Sequence, residues 1–152
     1  MKYFLDTEFL EDGKTIELIS IGIVREDGAE YYAENKDFDW SSATEWLNQN
    51  VKPSIINYLP KHKEEIKNDI LAFVEDDDKI EFWGYFADYD WVVFCQLWGR
   101  MIDLPRIFPH FCMDLMQLQK SKDIRIKQED SIHNALEDAR WIKQTYEKLE
   151  RL

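Results

Sequence analysis

Two Asp-Gly pairs near the N-terminus divide the start of the chain into three short segments rich in apolar residues. The segments are Lys2–Phe9, Thr15–Val24 and Glu30–Ala33, and they are separated by Asp12-Gly13 and Asp27-Gly28. Asp-Gly between two segments of β-forming residues is typical of a tight hairpin turn. The sequence therefore predicts that the chain begins with an antiparallel three-strand meander.

The rest of the chain alternates between helical and strand patterns. Apolar spacing and capping signals predict these elements: a short helix carrying Trp46 and Leu47 after a capping box at Ser42–Glu45, a helix at Lys61–Val74, a strand at Ile80–Tyr85, a helix at Asp90–Trp98 ended by Gly99, a short helix at Asp114–Lys120 and a last helix from about Ile132 to Leu149. Loops are predicted at Glu75–Asp78, Met101–Pro109 and Ser121–Glu129. This order predicts an α/β fold in which helices flank a mixed sheet.

Length and composition indicate one globular domain over residues 1–152, with 45% hydrophobic residues to form a single core. No apolar segment approaches the roughly 18 residues of a membrane span, and we expect no export leader. Cys95 and Cys112 form no Cys-x-x-Cys motif, which favours buried thiols in a reducing compartment. A cytoplasmic protein with no membrane partner is therefore predicted.

The formal net charge of −12 argues against a broad basic surface that binds nucleic acid without specificity. It does not exclude a nucleic-acid partner, because divalent cations bound by carboxylates reverse the local charge. Local basic residues are also present, and Arg125 and Lys127 are the first to test for phosphate contact.

Acidic residues at three distant places have the pattern of a divalent metal site. Asp6 and Glu8 lie two positions apart in the first predicted strand, so their side chains share one face. Asp90 opens an apolar helix, and Asp138 follows His133 near the C-terminus. Taken alone, each acid is better explained as a solvated polar residue. Together they predict a shared site for hard cations.

His133 and Asp138 cannot lie on one face of a continuous helix, because five residues at about 100° each separate them by roughly 140°. If both serve one site, His133 must lie in or just before the first turn of the last helix. Asp138 would then lie at the edge of the apolar stripe.

The motifs Asp6-Thr7-Glu8, Asp90 and His133-x-Ala135-x-x-Asp138 resemble, in order and spacing, the three motifs of the DEDDh 3′→5′ exonucleases. Those enzymes have the ribonuclease H-like fold, which is the fold that the resemblance implies. The neighbourhood of the first motif and Cys95–Gly99 resemble more specifically a small bacterial and phage exoribonuclease subgroup. The resemblance extends over roughly Lys2 to Tyr146.

The resemblance implies that two Mg²⁺ or Mn²⁺ ions are held by Asp6, Glu8, Asp90 and Asp138, with Asp6 bridging the pair. His133 would act as the general base for the attacking water. The implied reaction removes nucleoside monophosphates from single-stranded RNA 3′ ends or overhangs. Relatives of this kind are often homodimers, so a homodimer is included among the expected partners.

Substrate contacts are predicted beside the first motif. The backbone of Thr7 and the side chain of Phe9 or Leu10 would lie near the terminal base, as in similar exonucleases. Packing of Phe9 into the core is an equally good interpretation. Arg125 and Lys127, which precede His133, are assigned to phosphate.

Two departures from the family pattern concern substrate contacts rather than the metal site. Many members have Asn four residues before the second-motif Asp, where this chain has Phe86. Glu8 is followed by Phe9, Leu10 and Glu11 rather than by Thr-Thr-Gly. Asp88 competes with Asp90 for the second motif, and the pair Tyr89-Asp90 favours Asp90, which leaves Asp88 as the predicted helix N-cap.

Three alternatives stay open at this point. The enzyme could act on single-stranded DNA or short oligonucleotides instead of RNA. The chain could be an inactive nucleic-acid-binding module that keeps the fold. Its acidity would also suit a protein-interaction domain or a mimic of nucleic acid, although that hypothesis leaves the motif set to coincidence.

Overall fold

The first three strands form the predicted meander. In the computed structural model of the chain, β1 (Lys2–Glu11) pairs antiparallel with β2 (Ile16–Arg25), which pairs antiparallel with β3 (Glu30–Glu34). Gly13 and Gly28 have φ of +85° and +96°, a backbone conformation that glycine adopts without steric cost. The structure describes residues 1–57, 59–74, 78–128 and 133–152.

Two parallel strands complete the sheet beside β1. β4 (Glu81–Gly84) runs parallel to β1, and β5 (Met113–Asp114) runs parallel to β4. The strand order is β3-β2-β1-β4-β5, so β1 is the central strand. The predicted mixed α/β sheet is confirmed, although β5 has only two residues and carries no pattern that would have predicted it.

Within the ranges that the structure describes, five helices and three short 3₁₀ turns surround the sheet. The helices are α1 (Glu45–Asn50), α2 (Lys63–Val74), α3 (Asp88–Gln96), α4 (Leu115–Ser121) and α5 (Ala135–Glu150). The 3₁₀ turns are Trp40–Ser42, Lys52–Ser54 and Met101–Asp103. All five predicted helices are confirmed within a few residues, and the predicted loop at Met101–Pro109 contains one of the turns.

The predicted capping box at Ser42–Glu45 is wrong. Thr44 is the N-cap of α1, and its hydroxyl accepts a hydrogen bond from the Leu47 amide at 3.2 Å. Ser42 instead ends the preceding 3₁₀ turn and donates its hydroxyl to the carbonyl of Asp39. The turn therefore shifts the start of the helix by two residues.

Side chains of β1 point alternately into two hydrophobic cores, one on each face of the sheet. Tyr3 and Leu5 join the core under α2 and α3, whereas Phe4 joins the core under α4 and α5. The period of two along a strand explains this division. Asp6 follows the direction of Phe4 and so faces α5.

Tryptophans of α3 and α5 and several loop residues complete the description. Trp91 packs against Phe82 and Phe94, and Trp141 packs against Tyr85. In the predicted acidic loop, Asp78 is exposed and Glu75–Asp77 lie outside the described residues, as do Glu129 and the predicted helix start at Ile132. Both cysteines are free thiols, and no helix among the described residues is long and apolar enough to cross a membrane.

Candidate active site

Three carboxylates from the two ends of the chain meet on the α5 face of the sheet. Asp6 and Glu8 extend from β1, and Asp138 extends from the first turn of α5. One carboxylate oxygen from each lies within 4.8 Å of the other two. Glu8 and Asp138 are buried and Asp6 is half-buried. The strand alternation predicted for Asp6 and Glu8 therefore holds in the folded chain.

A glycine in β2 lets α5 approach the sheet at this point. Gly22 is the Cα partner of Asp6, and the backbone of Ala135 and Leu136 lies directly over it. A side chain at Gly22 would occupy the space of that backbone. The close approach brings Asp138, one turn further along α5, to the Asp6 and Glu8 carboxylates.

Asp90 is tied to β1 by hydrogen bonds rather than by packing alone. Its Oδ1 accepts from the Thr7 amide at 2.9 Å and from the Thr7 hydroxyl at 2.5 Å. β4 pairs with β1 only as far as Phe4, so the β1 edge at Thr7 is available to α3. Both bonds go to Oδ1, which leaves Oδ2 to interact with another ligand.

Of the two acids considered for the second motif, Asp90 is buried and Asp88 is exposed. The prediction that Asp88 is the helix N-cap is wrong. Ala87 occupies the N-cap position of α3 without a side-chain cap, and its amide donates to Asp114 Oδ2 at 2.9 Å. Asp114 also caps α4 by accepting from the Met116 amide at 2.6 Å. Sequence reasoning missed this double role of Asp114.

The carboxylates raise one another's pKa because they are buried and close together. Burial, followed by the charges of Asp90, Asp138 and Glu8, holds the pKa of Asp6 well above its usual value. Burial and the neighbouring charges of Asp138 and Asp90 raise the pKa of Glu8 to about 8.

Hydrogen bonds limit the same effect at the other two acids. Burial raises the pKa of Asp90 to about 6, although the hydrogen bonds from Thr7 oppose the rise. Burial also raises the pKa of Asp138, and the Gln128 amide and the nearby His133 act against it. The cluster therefore binds protons at neutral pH unless another cation replaces them.

The donor set fits hard divalent cations. Asp6, Glu8 and Asp138 offer only oxygen ligands, which Mg²⁺ and Mn²⁺ prefer. Among the described residues, no lysine or arginine forms an ion pair with these three acids or with Asp90. Buried carboxylates without a protein cation favour an external one.

His133 lies immediately before the N-cap of α5, which is the place that its spacing from Asp138 predicts. The Ser54 hydroxyl donates to the His133 carbonyl at 2.6 Å, and the Trp46 indole meets the His133 ring edge-on with centroids 4.9 Å apart. The φ of His133 is +49°. Its ring lies near enough to Asp138 to offset part of the rise that burial causes in the pKa of that carboxyl.

The three predicted base contacts beside the first motif have different surroundings. The Thr7 amide and hydroxyl are both used by Asp90, so Thr7 supports a carboxylate. Leu10 packs against the small core of Ile19, Phe38, Leu47 and Val51. Phe9 is half-buried, and its ring stacks on the exposed ring of Tyr89 with centroids 6.0 Å apart and planes 16° apart.

Arg125 and Lys127 are exposed on an extended segment that leads toward the site. Ile124 and Ile126 alternate with them and pack on the α5 core. Neither basic residue forms an ion pair with any residue in the ranges that the structure describes. Gln128, at the end of the segment, donates its amide to Asp138 Oδ1. The alternation of Ile124, Ile126 and Gln128 was the signal that could have revealed this contact.

Comparison with known proteins identifies the family. A sequence model of the 3′-5′ exoribonuclease Rv2179c-like domain matches residues 1–149. Two relatives from Mycobacterium tuberculosis are each 43% identical over 147 residues, which cover 92% of this chain and 88% of the relative. They are the 3′-5′ exoribonuclease Rv2179c of strain ATCC 25618 / H37Rv and the 3′-5′ exoribonuclease MT2234.1 of strain CDC 1551 / Oshkosh. With nearly its whole length matched, the chain belongs to the Rv2179c-like 3′-5′ exoribonuclease family.

Proposed function

We propose that this chain is a metal-dependent 3′→5′ exoribonuclease of the DEDDh type, with a ribonuclease H-like fold in one domain over residues 1–152. It removes nucleoside monophosphates from single-stranded RNA 3′ ends or overhangs. The observation that carries the proposal is the convergence of Asp6, Glu8 and Asp138 within 4.8 Å in a chain of an exoribonuclease family. The meander followed by parallel strands on the other side of β1 supports the fold assignment.

Asp6, Glu8, Asp90 and Asp138 would hold two Mg²⁺ or Mn²⁺ ions. When bound, such ions neutralise charge on the phosphate and act as Lewis acids toward the attacking and leaving oxygens. Thr7 fixes the Asp90 carboxylate through Oδ1 and leaves Oδ2 free of both Thr7 hydrogen bonds. The α5 N-terminus further stabilises the ionised form of Asp138 through the helix dipole.

His133 is the general base of the proposal. Its imidazole takes a proton from the attacking water, and the nearby Asp138 carboxylate stabilises the imidazolium that forms. Ser54 holds its backbone and Trp46 limits the rotation of its ring. These contacts restrict both the backbone and the ring of His133.

The stacked pair of Phe9 and Tyr89 is the proposed surface for the terminal base. Tyr89 lies one residue before Asp90, and Phe9 lies one residue after Glu8, so the pair is joined through the chain to two of the acids. Arg125 and Lys127 would contact phosphates, since their charges are not neutralised by an ion pair within the described residues. These local cations, together with bound metal, allow RNA to approach a chain of net charge −12.

A cleavage assay tests the proposal. RNA and DNA oligonucleotides of one sequence, labelled at the 5′ end, are incubated with Mg²⁺ or Mn²⁺ and the wild type, Asp6→Asn or Asp138→Asn. Asp78→Asn, which changes an exposed acid, is the matched control. We expect a ladder that shortens from the RNA 3′ end with the wild type and the control, and loss of the ladder with the two site variants.

The alternatives give different results in the same assay. If DNA is shortened faster than RNA, the substrate is single-stranded DNA rather than RNA. Binding without cleavage would indicate an inactive module, and the absence of both would favour the interaction domain. The homodimer and the cytoplasmic location stay predictions, and light scattering after gel filtration measures the first.

A further inference from the structure

Phe86 is an aromatic residue in a strained and exposed position beside the site. Its φ is +52°, in the left-handed region that non-glycine residues rarely adopt, and 62% of its side chain is exposed. It lies between β4 and α3, four residues before Asp90. The positive φ is a strained conformation for phenylalanine, and strain of this kind concentrates at functional sites.

The Phe86 ring begins a row of three aromatic rings that extends to α5. Its centroid is 4.6 Å from that of Tyr85, and the Tyr85 centroid is 5.0 Å from that of Trp141. Trp141 follows Asp138 by three residues, which places it on the next turn of α5. The row therefore joins the segment between β4 and α3 to α5, and Tyr85 supports the Phe86 ring from behind.

This row is separate from the stacked pair of Phe9 and Tyr89. That pair connects β1 and α3, whereas the row connects the end of β4 with α5. Each aromatic group thus lies a few residues along the chain from one or two of the four acids: Glu8 and Asp90 for the pair, Asp90 and Asp138 for the row. If the 3′ end of an RNA strand lies at the carboxylates, its terminal base can stack on the Phe9–Tyr89 pair. A base that precedes it can then stack on the row.

We propose that Phe86 is a stacking platform for an RNA base that precedes the terminal nucleotide. The proposal rests on the proposed function, which places the RNA 3′ end at the carboxylates. Aromatic side chains stack on any of the four bases, so the platform would bind single-stranded RNA without sequence preference. Tyr85 and Trp141 are positioning residues that hold the ring at its exposed place.

The test uses Phe86→Asn, because asparagine tolerates a positive φ far better than phenylalanine and removes the ring. Binding is measured by fluorescence anisotropy of a labelled eight-nucleotide RNA whose terminal linkage is non-hydrolysable. We expect Kd to increase about fivefold or more, the lower range for one lost base stack, while the melting temperature stays the same or rises. Phe86→Trp should restore the affinity.

Phe111→Asn is the matched control, since Phe111 is 63% exposed and is not one of the three rings of the row. We expect its Kd to stay within twofold of the wild type. The kcat/KM of Phe86→Asn is also compared on RNAs of two, four and eight nucleotides. The loss relative to the wild type should grow with length, because only the longer RNAs reach the platform.

Three results would overturn the platform. They are a wild-type Kd for Phe86→Asn, an equal loss on two and eight nucleotides, and a change in solution mass that marks Phe86 as a subunit contact. Failure of the proposed function gives a different pattern. The wild type could cleave no RNA and still bind the octamer more tightly than Phe86→Asn does. That result would support the platform and contradict the assignment as a nuclease.

Discussion

Gly22 lies so close to Ala135 that a Cβ on Gly22 would stand 2.4 Å from the Ala135 carbonyl carbon. No Cβ tolerates such a contact with backbone, so α5 can rest on β2 only because this residue is glycine. Asp6 is the Cα partner of Gly22, and Asp138 lies one turn along α5. The Gly22–Ala135 contact therefore sets the distance between the first and third acidic motifs.

Gly22→Ala should destabilise the protein and weaken the site together. A displaced α5 costs about 2 kcal/mol or more through overpacking, which lowers Tm by several degrees in a chain of this size. It also moves Asp138 away from Asp6, so the Mn²⁺ affinity and kcat/KM should fall at least tenfold. Thermal melting, Mn²⁺ titration and RNA cleavage measure the three effects.

Gly28→Ala is the control for this change, because Gly28 has a positive φ but nothing within 4 Å of the added Cβ. It should lower Tm slightly through backbone strain and keep the wild-type Mn²⁺ affinity. Equal losses of Mn²⁺ affinity in both variants would contradict the role given to Gly22.

Divalent metal should stabilise the fold, because it replaces repulsion among buried carboxylates by attraction. At a hundredfold excess over Kd, binding to the native state contributes about 2.7 kcal/mol. We expect Mn²⁺ to raise Tm by roughly 5–10 °C in the wild type and in Asp78→Asn. The rise should disappear in Asp6→Asn. A wild-type melting curve that Mn²⁺ leaves unchanged would contradict an assembled metal site.

The stability of the metal-free protein should fall as pH rises from about 5 to 8. Folding raises the pKa of Asp90 to about 6 and that of Glu8 to about 8, so the folded state binds more protons than the unfolded state in this window. The stabilisation is complete below the unfolded pKa and is lost as pH passes the folded pKa.

Chemical denaturation in EDTA at several pH values measures this dependence. Glu8→Gln should reduce this dependence above pH 6, where Glu8 still titrates. Saturating Mn²⁺ should reduce it, because metal binding releases the protons and is itself favoured at higher pH. If the metal-free protein became more stable toward pH 8, the predicted fall in stability with rising pH would be wrong.

Ser54 should affect catalysis through His133. Its hydroxyl donates to the carbonyls of Val51 and His133 at 2.8 and 2.6 Å, so Ser54→Ala releases the backbone at the proposed base. We expect kcat to fall about threefold to tenfold with little change in KM, and stability to fall by about 1 kcal/mol.

The control is Ser121→Ala, which removes an exposed hydroxyl that also donates to a backbone carbonyl. It should keep the wild-type kcat. If Ser54→Ala lowers Tm yet keeps kcat at a temperature where the variant is folded, Ser54 has a structural role only.

Local sequence signals account for the central strand and its acids. The alternation of β1 places Asp6 and Glu8 on one face, and the angular spacing in a helix places His133 before the first turn of α5. Burial of Asp90 agrees with its choice over Asp88. Such features depend on residues within about one turn or one hairpin, where the backbone geometry is nearly fixed.

Local signals failed where several contacts compete for one residue. Ser42 and Thr44 are both suitable N-cap residues. Ser42 instead forms the end of the 3₁₀ turn that Asp39 caps, and Thr44 caps α1. Asp88 suits a cap as well, yet Asp114, 27 residues away, binds the Ala87 amide at the start of α3. Propensity ranks such candidates, but only the packed chain shows which partner each one meets.

The sequence alone determined the candidates for the proposed site: the acids of β1, α3 and α5, and the histidine before α5. Tertiary structure decided how they are held. Ser54 reaches His133 across 79 residues, and Gly22 meets Ala135 from another element. These contacts have no local pattern, because they depend on how closely the helices approach the sheet, and that distance follows from the packing of the whole core.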